Sequence, residues 1–241
     1  MTGNWLFISG WGHDNTPVKK LAYAFYRDDA PLYTLPDLEP GDHDDSGETY
    51  SSVLGSRIQS FDQPVVIVGW STGGIIALET AAKYSANVAA LILISATPRF
   101  CIDSDFPWGT PASELEKMQA GIENQPIRTL NAFFRRAAYP QRLPQRDREN
   151  LINTAINQGK DSLKTGLQYL QQVDCRDRLV KIKCPVVLVH GEKDRIIPFQ
   201  AAQWLSKELK NADLHACPED GHDLIRQKPA VVAEMIDGRF G

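Results

Sequence analysis

Runs of uninterrupted apolar residues alternate along this chain with stretches whose apolar positions recur every three or four residues. Trp5–Ile8, residues 64–68, Val88–Ile94 and residues 185–190 form the apolar runs. A strand without polar alternation must be covered on both pleat faces, which is the condition of a parallel sheet with helices on either side. Between the first two runs, Val18, Leu21, Ala22 and Phe25 fall at i, i+3, i+4 and i+7, and predict an amphipathic helix from Thr16. Residues 32–35 read as a further strand, and Tyr50, Val53, Leu54 and Ile58 as a second helix.

The alternation lapses between about Arg99 and Lys183. Helical spacings continue there (Leu115, Met118, Ile122; Ile127, Leu130, Phe134; Leu163, Leu167, Leu170), without a strand. After residues 185–190 come a helix with Ala201, Trp204, Leu205 and Leu209, a last strand near 212–216, and a helix from Pro229 with Val232, Met235 and Ile236. The expected fold class is α/β: a doubly wound, mostly parallel sheet of residues 1–98 and 184–241, with a helical cap inserted at 99–183. Ligands of such sheets bind beyond the C-terminal ends of the strands, so an insertion there is placed to act as a lid. The layout fits an α/β-hydrolase fold.

One strand end carries chemistry. Residues 64–68 run into Gly69-Trp70-Ser71-Thr72-Gly73-Gly74, and a helical pattern begins at once. A serine on so tight a strand-to-helix turn takes a strained backbone conformation, and glycines two residues to either side relieve the crowding. Its hydroxyl stands at the sheet edge with helix N-terminal N–H groups beside it. Serine needs a base, and the base an orienting acid. After the fifth strand, Gly191-Glu192-Lys193-Asp194 puts Asp194 in a loop at that edge; after the last, Asp220-Gly221-His222 does the same for His222. The order Ser71, Asp194, His222 is the one such triads follow. A solvated turn and a surface histidine are the plainer readings of each, but both fall in the required loops. His13 and His43 precede the serine, His190 ends a buried strand and His215 lies within one. The backbone N–H groups of Thr72 and Trp11 are the expected oxyanion donors. Trp11 and Trp70 are expected to wall the substrate pocket, with Trp70 open to reading as plain core.

Composition narrows the classes. Of 241 residues, 42% are hydrophobic and 23% charged, as in ordinary globular domains, and the net charge of −4 argues against nucleic acid as a partner. Cys101, Cys175, Cys184 and Cys217 lack the spacing of a metal site or disulfide framework. The histidines are scattered and no lysine follows the glycines near Ser71, so neither a metal, a phosphate loop nor any other cofactor is expected. No basic leader opens the sequence, and no apolar run approaches the roughly 18–20 residues a membrane span needs. A cytoplasmic protein without membrane contact is expected. The charge is uneven: residues 99–183 hold 14 basic and 10 acidic residues, leaving 12 basic and 20 acidic elsewhere. Arg128, Arg135, Arg136, Arg142, Arg146 and Arg148 crowd one short stretch against Asp147 alone. Such a patch can steer an anionic partner, and a solvated helix surface is the plainer reading.

Residues 9–12 (Ser-Gly-Trp-Gly), the Gly-Trp-Ser-Thr-Gly-Gly of 69–74 and Gly166-Leu167-x-Tyr169-Leu170-x-x-Val173-Asp174-Cys175-Arg176 together resemble the pimeloyl-[acyl-carrier protein] methyl ester esterases, hydrolases of biotin synthesis. The resemblance implies that Ser71, Asp194 and His222 match that family's triad, and Trp11 its oxyanion tryptophan. It further implies an acyl ester substrate borne by an acidic acyl carrier protein that docks on cap arginines. Arg128 aligns with one of those; Arg135, Arg136, Arg142 and Arg146 join it as candidates by charge alone. Ser9 stands where the family usually has histidine, and residues 38–43 are acidic where relatives are commonly neutral and glycine-rich. Two other readings stay open: a hydrolase of free esters, thioesters or lactones, and a non-catalytic ligand receptor.

Overall fold

The computed structural model describes residues 3–40 and 49–240, the last four by backbone alone. Six strands, β1 (Trp5–Ile8), β2 (Leu32–Tyr33), β3 (Val65–Trp70), β4 (Val88–Ile94), β5 (Val186–Gly191) and β6 (Ala212–Cys217), pair in parallel in the order β2-β1-β3-β4-β5-β6. The unbroken apolar strands have the cause anticipated for them. In β3, Val65 and Ile67 enter one core with Leu54 and Ile75, while Val66, Val68 and Trp70 enter the other with Val18, Leu21 and Ile236. Each fully buried Val or Ile contributes roughly 1.5–3 kcal/mol over its exposed state, so neither pleat face of this strand has room for a polar residue.

Helices α1 (Thr16–Ala24), α9 (Leu224–Gln227) and α10 (Pro229–Phe240) lie with the second core; α2 (Tyr50–Ile58), α3 (Thr72–Lys83) and α8 (Phe199–Glu208) lie with the first. Pro17 opens α1, where its missing N–H costs nothing, and Thr49 and Ser52 cap α2 reciprocally. The second strand is shorter than the sequence suggests. The Thr34 N–H and hydroxyl both donate to Asp37 Oδ2 at 2.7 Å, turning the chain into a 3-10 turn at Pro36–Leu38. Half of the acidic loop expected after it, His43 included, lies outside the described residues.

Four helices separate β4 from β5: α4 (Ala112–Asn124), α5 (Pro126–Ala137), α6 (Gln145–Asn157) and α7 (Lys160–Gln172). Each turns an apolar stripe inward; α5 buries Leu130, Phe134 and Ala137 and leaves Arg128 and Arg135 exposed. The two ends of the insertion are laced together. Cys175 N–H donates to Pro98 O, Arg99 grips Asp174 at 2.6 Å, and Arg176 reaches Asp103 and Asp174 at 2.7 and 2.8 Å. Partial burial raises the pKa of Asp174, but the two guanidiniums and the Arg176 N–H outweigh this and hold it at about 2. Among the described residues no helix is long and apolar enough to cross a membrane.

Candidate active site

Because all six strands run the same way, the loops that follow β1, β3, β5 and β6 gather at one edge of the sheet. Ser71 caps β3 there at φ 55° and ψ −120°, a conformation that costs on the order of 1–3 kcal/mol for a residue with a side chain. The surrounding backbone enforces it: Ser71 N–H donates to Ile94 O, and Ser71 O accepts from Gly74 N–H, both at 2.9 Å. The flanking glycines are needed for contact. A Cβ on Gly69 would stand 2.5 Å from Gly73 O, and one on Gly73 the same distance from Ile8 O.

His222, after β6, brings Nε2 to 2.9 Å from Ser71 Oγ and Nδ1 to 2.7 Å from Asp194 Oδ2. Its carbonyl accepts from Trp70 Nε1 and Ser95 Oγ, both at 3.2 Å, so its backbone is held as firmly as its ring. The Asp194 side chain is wholly buried, and its Oδ1 accepts the N–H groups of Ile196 and Ile197 at 2.7 and 2.9 Å. Burial would raise its pKa; attraction to His222 and hydrogen bonds from two imidazoles outweigh this and hold it well below the usual carboxylate range. With the acid ionised, the proton of neutral His222 sits on Nδ1. The bare Nε2 then faces the hydroxyl, which is the arrangement that proton removal from a serine requires.

Ser71 and Thr72 form the floor of a cavity of about 420 Å³, walled mostly by apolar side chains of the first core and the insertion, among them Leu115, Phe133, Leu167 and Ile196. Trp11 lines it too. Neither Trp11 N–H nor Thr72 N–H has an acceptor among the described residues, which leaves both free for an oxygen in the cavity. The Trp11 indole donates to Leu163 O on α7 at 2.8 Å and meets Phe133 edge-on. Gly166 is glycine for this reason: a Cβ there would stand 2.6 Å from the indole.

Trp70 does not line the cavity. It is 1% exposed, shares its pleat face with Val66 and Val68, and so points into the core opposite the cavity, against His13 and the backbone of His222. Its role is support from beneath, in line with the plainer reading. The five arginines also divide. Arg128 and Arg136 line the cavity, beside Glu114 and Lys117; Arg135, Arg142 and Arg146 are exposed elsewhere on the insertion. Arg128 also borders a groove of about 600 Å³ between α5 and α6. Nothing in the sequence singles out Glu114 or Lys117. His190, which reads there as the end of a buried strand, is most consequential: its one further signal is its position four residues before Asp194.

His13, set aside as a base, is buried between Trp70 and Phe134 with Nδ1 unpartnered. Burial, then the charges of Arg226 and His222, lowers its pKa from 6.5 to about 3. The unfolded chain therefore takes up a proton here below pH 6.5 that the folded chain refuses until about pH 3. The linked stability is complete above that window and falls as pH drops through it, by at most about 1.4 kcal/mol per pH unit. His13→Phe is expected to flatten this part of the stability–pH curve in urea unfolding; an unchanged slope would refute the assignment.

The profile of the alpha/beta hydrolase family matches residues 3–235. A pimeloyl-[acyl-carrier protein] methyl ester esterase of Aromatoleum aromaticum is 28% identical over 200 residues, which cover 79% of this chain and 80% of that one. Its namesake in Nitrosomonas europaea is 32% identical over 163 residues, covering 65% of this chain and 63% of the relative, a little under two thirds of its length. Among solved structures, an esterase of Exiguobacterium antarcticum shares the fold with a TM-score of 0.83 at 20% identity, over 98% of this chain and 91% of that one.

Proposed function

The chain belongs to the alpha/beta hydrolase family, and on that premise we propose that it is a serine carboxylesterase that demethylates the pimeloyl methyl ester carried by acyl carrier protein. The observation that carries the hydrolase reading is the hydrogen-bonded chain from Ser71 Oγ through His222 to Asp194 beneath an apolar cavity. The similarity to the methyl ester esterases supports the substrate and a place in biotin synthesis. The cytoplasm is the compartment we assign, in keeping with four free cysteines.

In this reading Ser71 Oγ attacks the ester carbonyl while His222 Nε2 takes the hydroxyl proton. The carbonyl oxygen, now an oxyanion, accepts from the Trp11 and Thr72 N–H groups. The imidazolium returns the proton to the departing methoxide, which leaves as methanol. Water then attacks the acyl-serine, giving its proton to His222; collapse of the second tetrahedral intermediate returns that proton to Ser71 and frees the acid. Residues 99–183 act as the lid over this site. The acyl chain occupies the apolar walls, and the carrier approaches along the arginines. Arg128 and Arg136, exposed and lining the cavity, are the arginines this reading gives to the phosphopantetheine arm.

A second reading, hydrolysis of free esters, is favoured by the position of Arg135, Arg142 and Arg146 away from the cavity, on surface any solvated helix could present. Converting Arg128, Arg135 and Arg136 together to Glu separates the two. We expect KM for the carrier-linked ester to rise roughly tenfold or more, the scale of a few lost charge-assisted contacts, and to change by a larger factor than kcat/KM for p-nitrophenyl butyrate, which meets Arg128 and Arg136 at the cavity wall but has no carrier to dock. An equal effect on both substrates would reject carrier docking at this surface.

A further inference from the structure

We propose that His190 is a positioning residue for the Asp194 carboxylate, its Nε2–H clamping the turn that presents the acid to His222; this rests on the serine-hydrolase reading above. Asp194 lies in the loop directly after β5, and His190 is the penultimate residue of that strand. The loop fixes one carboxylate oxygen without help, since Oδ1 takes the N–H groups of Ile196 and Ile197. The other oxygen is the one that matters for His222, and it has two imidazole neighbours. His222 Nδ1 stands at 2.7 Å and His190 Nε2 at 3.3 Å.

His190 Nε2 is also 2.9 Å from the carbonyl oxygen of Ile197. Both atoms facing this nitrogen are acceptors, and the ring is 1% exposed, with no solvent to intervene. A bare lone pair there would face a carbonyl and a carboxylate in a buried site, at a large electrostatic cost. The proton therefore resides on Nε2 and points into the gap between Ile197 O and Asp194 Oδ2. A ring of contacts results: Ile197 N–H holds Oδ1, His190 holds Ile197 O, and the same His190 N–H lies against Oδ2. The carboxylate cannot turn about its Cβ–Cγ bond without giving up contacts at both oxygens. Stabilisation of the ionised acid by this N–H acts in the same direction.

His190 does not line the cavity and touches no substrate, so its effect passes through Asp194. A histidine that merely satisfies Ile197 O at a strand end would contribute to stability and leave turnover alone. Substitutions separate the two cases. His190→Gln places an amide N–H where Nε2 was; His190→Asn is too short to reach it; His190→Leu has no donor. With p-nitrophenyl butyrate, His190→Leu and His190→Asn are expected to lower kcat by roughly 10- to 100-fold, the range seen when outer partners of functional ligands are removed, with KM within about twofold. His190→Gln is expected to recover most of kcat. If the Leu variant fails to fold, the Asn–Gln pair decides. Unchanged kcat in the variants without the donor, or equal loss in Gln and Asn, would overturn the proposal. Ser71→Ala assayed alongside isolates the premise: full activity there rejects the serine mechanism itself, whereas its loss combined with unaffected His190 variants rejects only the positioning role.

Discussion

Ser71→Ala is expected to reduce kcat for p-nitrophenyl butyrate by roughly 10⁴- to 10⁶-fold, the loss found when the nucleophile of a hydrogen-bonded serine–histidine–acid unit is removed. The magnitude follows from the absence of a substitute. Thr72, the next hydroxyl on the cavity floor, opens α3, and His222 Nε2 is engaged with Ser71 Oγ. Whatever activity survives comes from cavity binding and the free N–H groups of Trp11 and Thr72. The fold should be indifferent, because Cβ is kept and the backbone of residue 71 stays pinned to Ile94 and Gly74. Circular dichroism and thermal unfolding should match the parent while turnover disappears. Retention of more than about 1% of kcat would point to a different nucleophile, given the size of the loss expected.

Asp194→Asn should cost about 10⁴-fold in kcat, with little change in KM. The hydrogen bonds state the reason. Two backbone N–H groups, of Ile196 and Ile197, converge on Oδ1, so an asparagine would place its carbonyl oxygen there. Its NH₂ would then occupy the Oδ2 position, facing His222 Nδ1, and could only donate. His222 would have to accept at Nδ1 and carry its proton on Nε2, toward Ser71 Oγ, where it can no longer take one. The same swap puts two donors face to face at His190. Asp194→Ala leaves the tautomer unforced, so it should lose orientation and charge but not invert the proton's position. An Asn variant within about tenfold of the parent would contradict the buried, ionised acid on which the mechanism depends.

Much of this was legible in the sequence because its signals were strong and local. Apolar runs identify strands buried on both faces, and the glycines flanking Ser71 and the order of Asp194 and His222 place three side chains at one sheet edge. The misjudged positions depend on direction and distance, which spacing does not carry. The position of Trp70 beside Ser71 suits either a pocket wall or plain core, and the two-residue period of β3 decides for the core, turning it with Val66 and Val68 away from the cavity. The arginines shared one stretch of sequence, but the rotation of α5 brings Arg128 and Arg136 to the cavity and leaves Arg135 outside. His190 reads as strand packing, because its partners, Ile197 O and Asp194, meet it only once the loop folds back. The tie between Trp11 and α7 spans 152 residues and left a single trace, the glycine at 166.

The most direct test of the account is turnover of the carrier-linked substrate. Pimeloyl methyl ester bound to acyl carrier protein, incubated with the purified enzyme, should yield methanol and the free carboxyl in equal amounts, with none from Ser71→Ala. Absence of methanol from an enzyme that still hydrolyses p-nitrophenyl butyrate would contradict the assignment to the carrier-linked ester and leave the hydrolysis of free esters as the function.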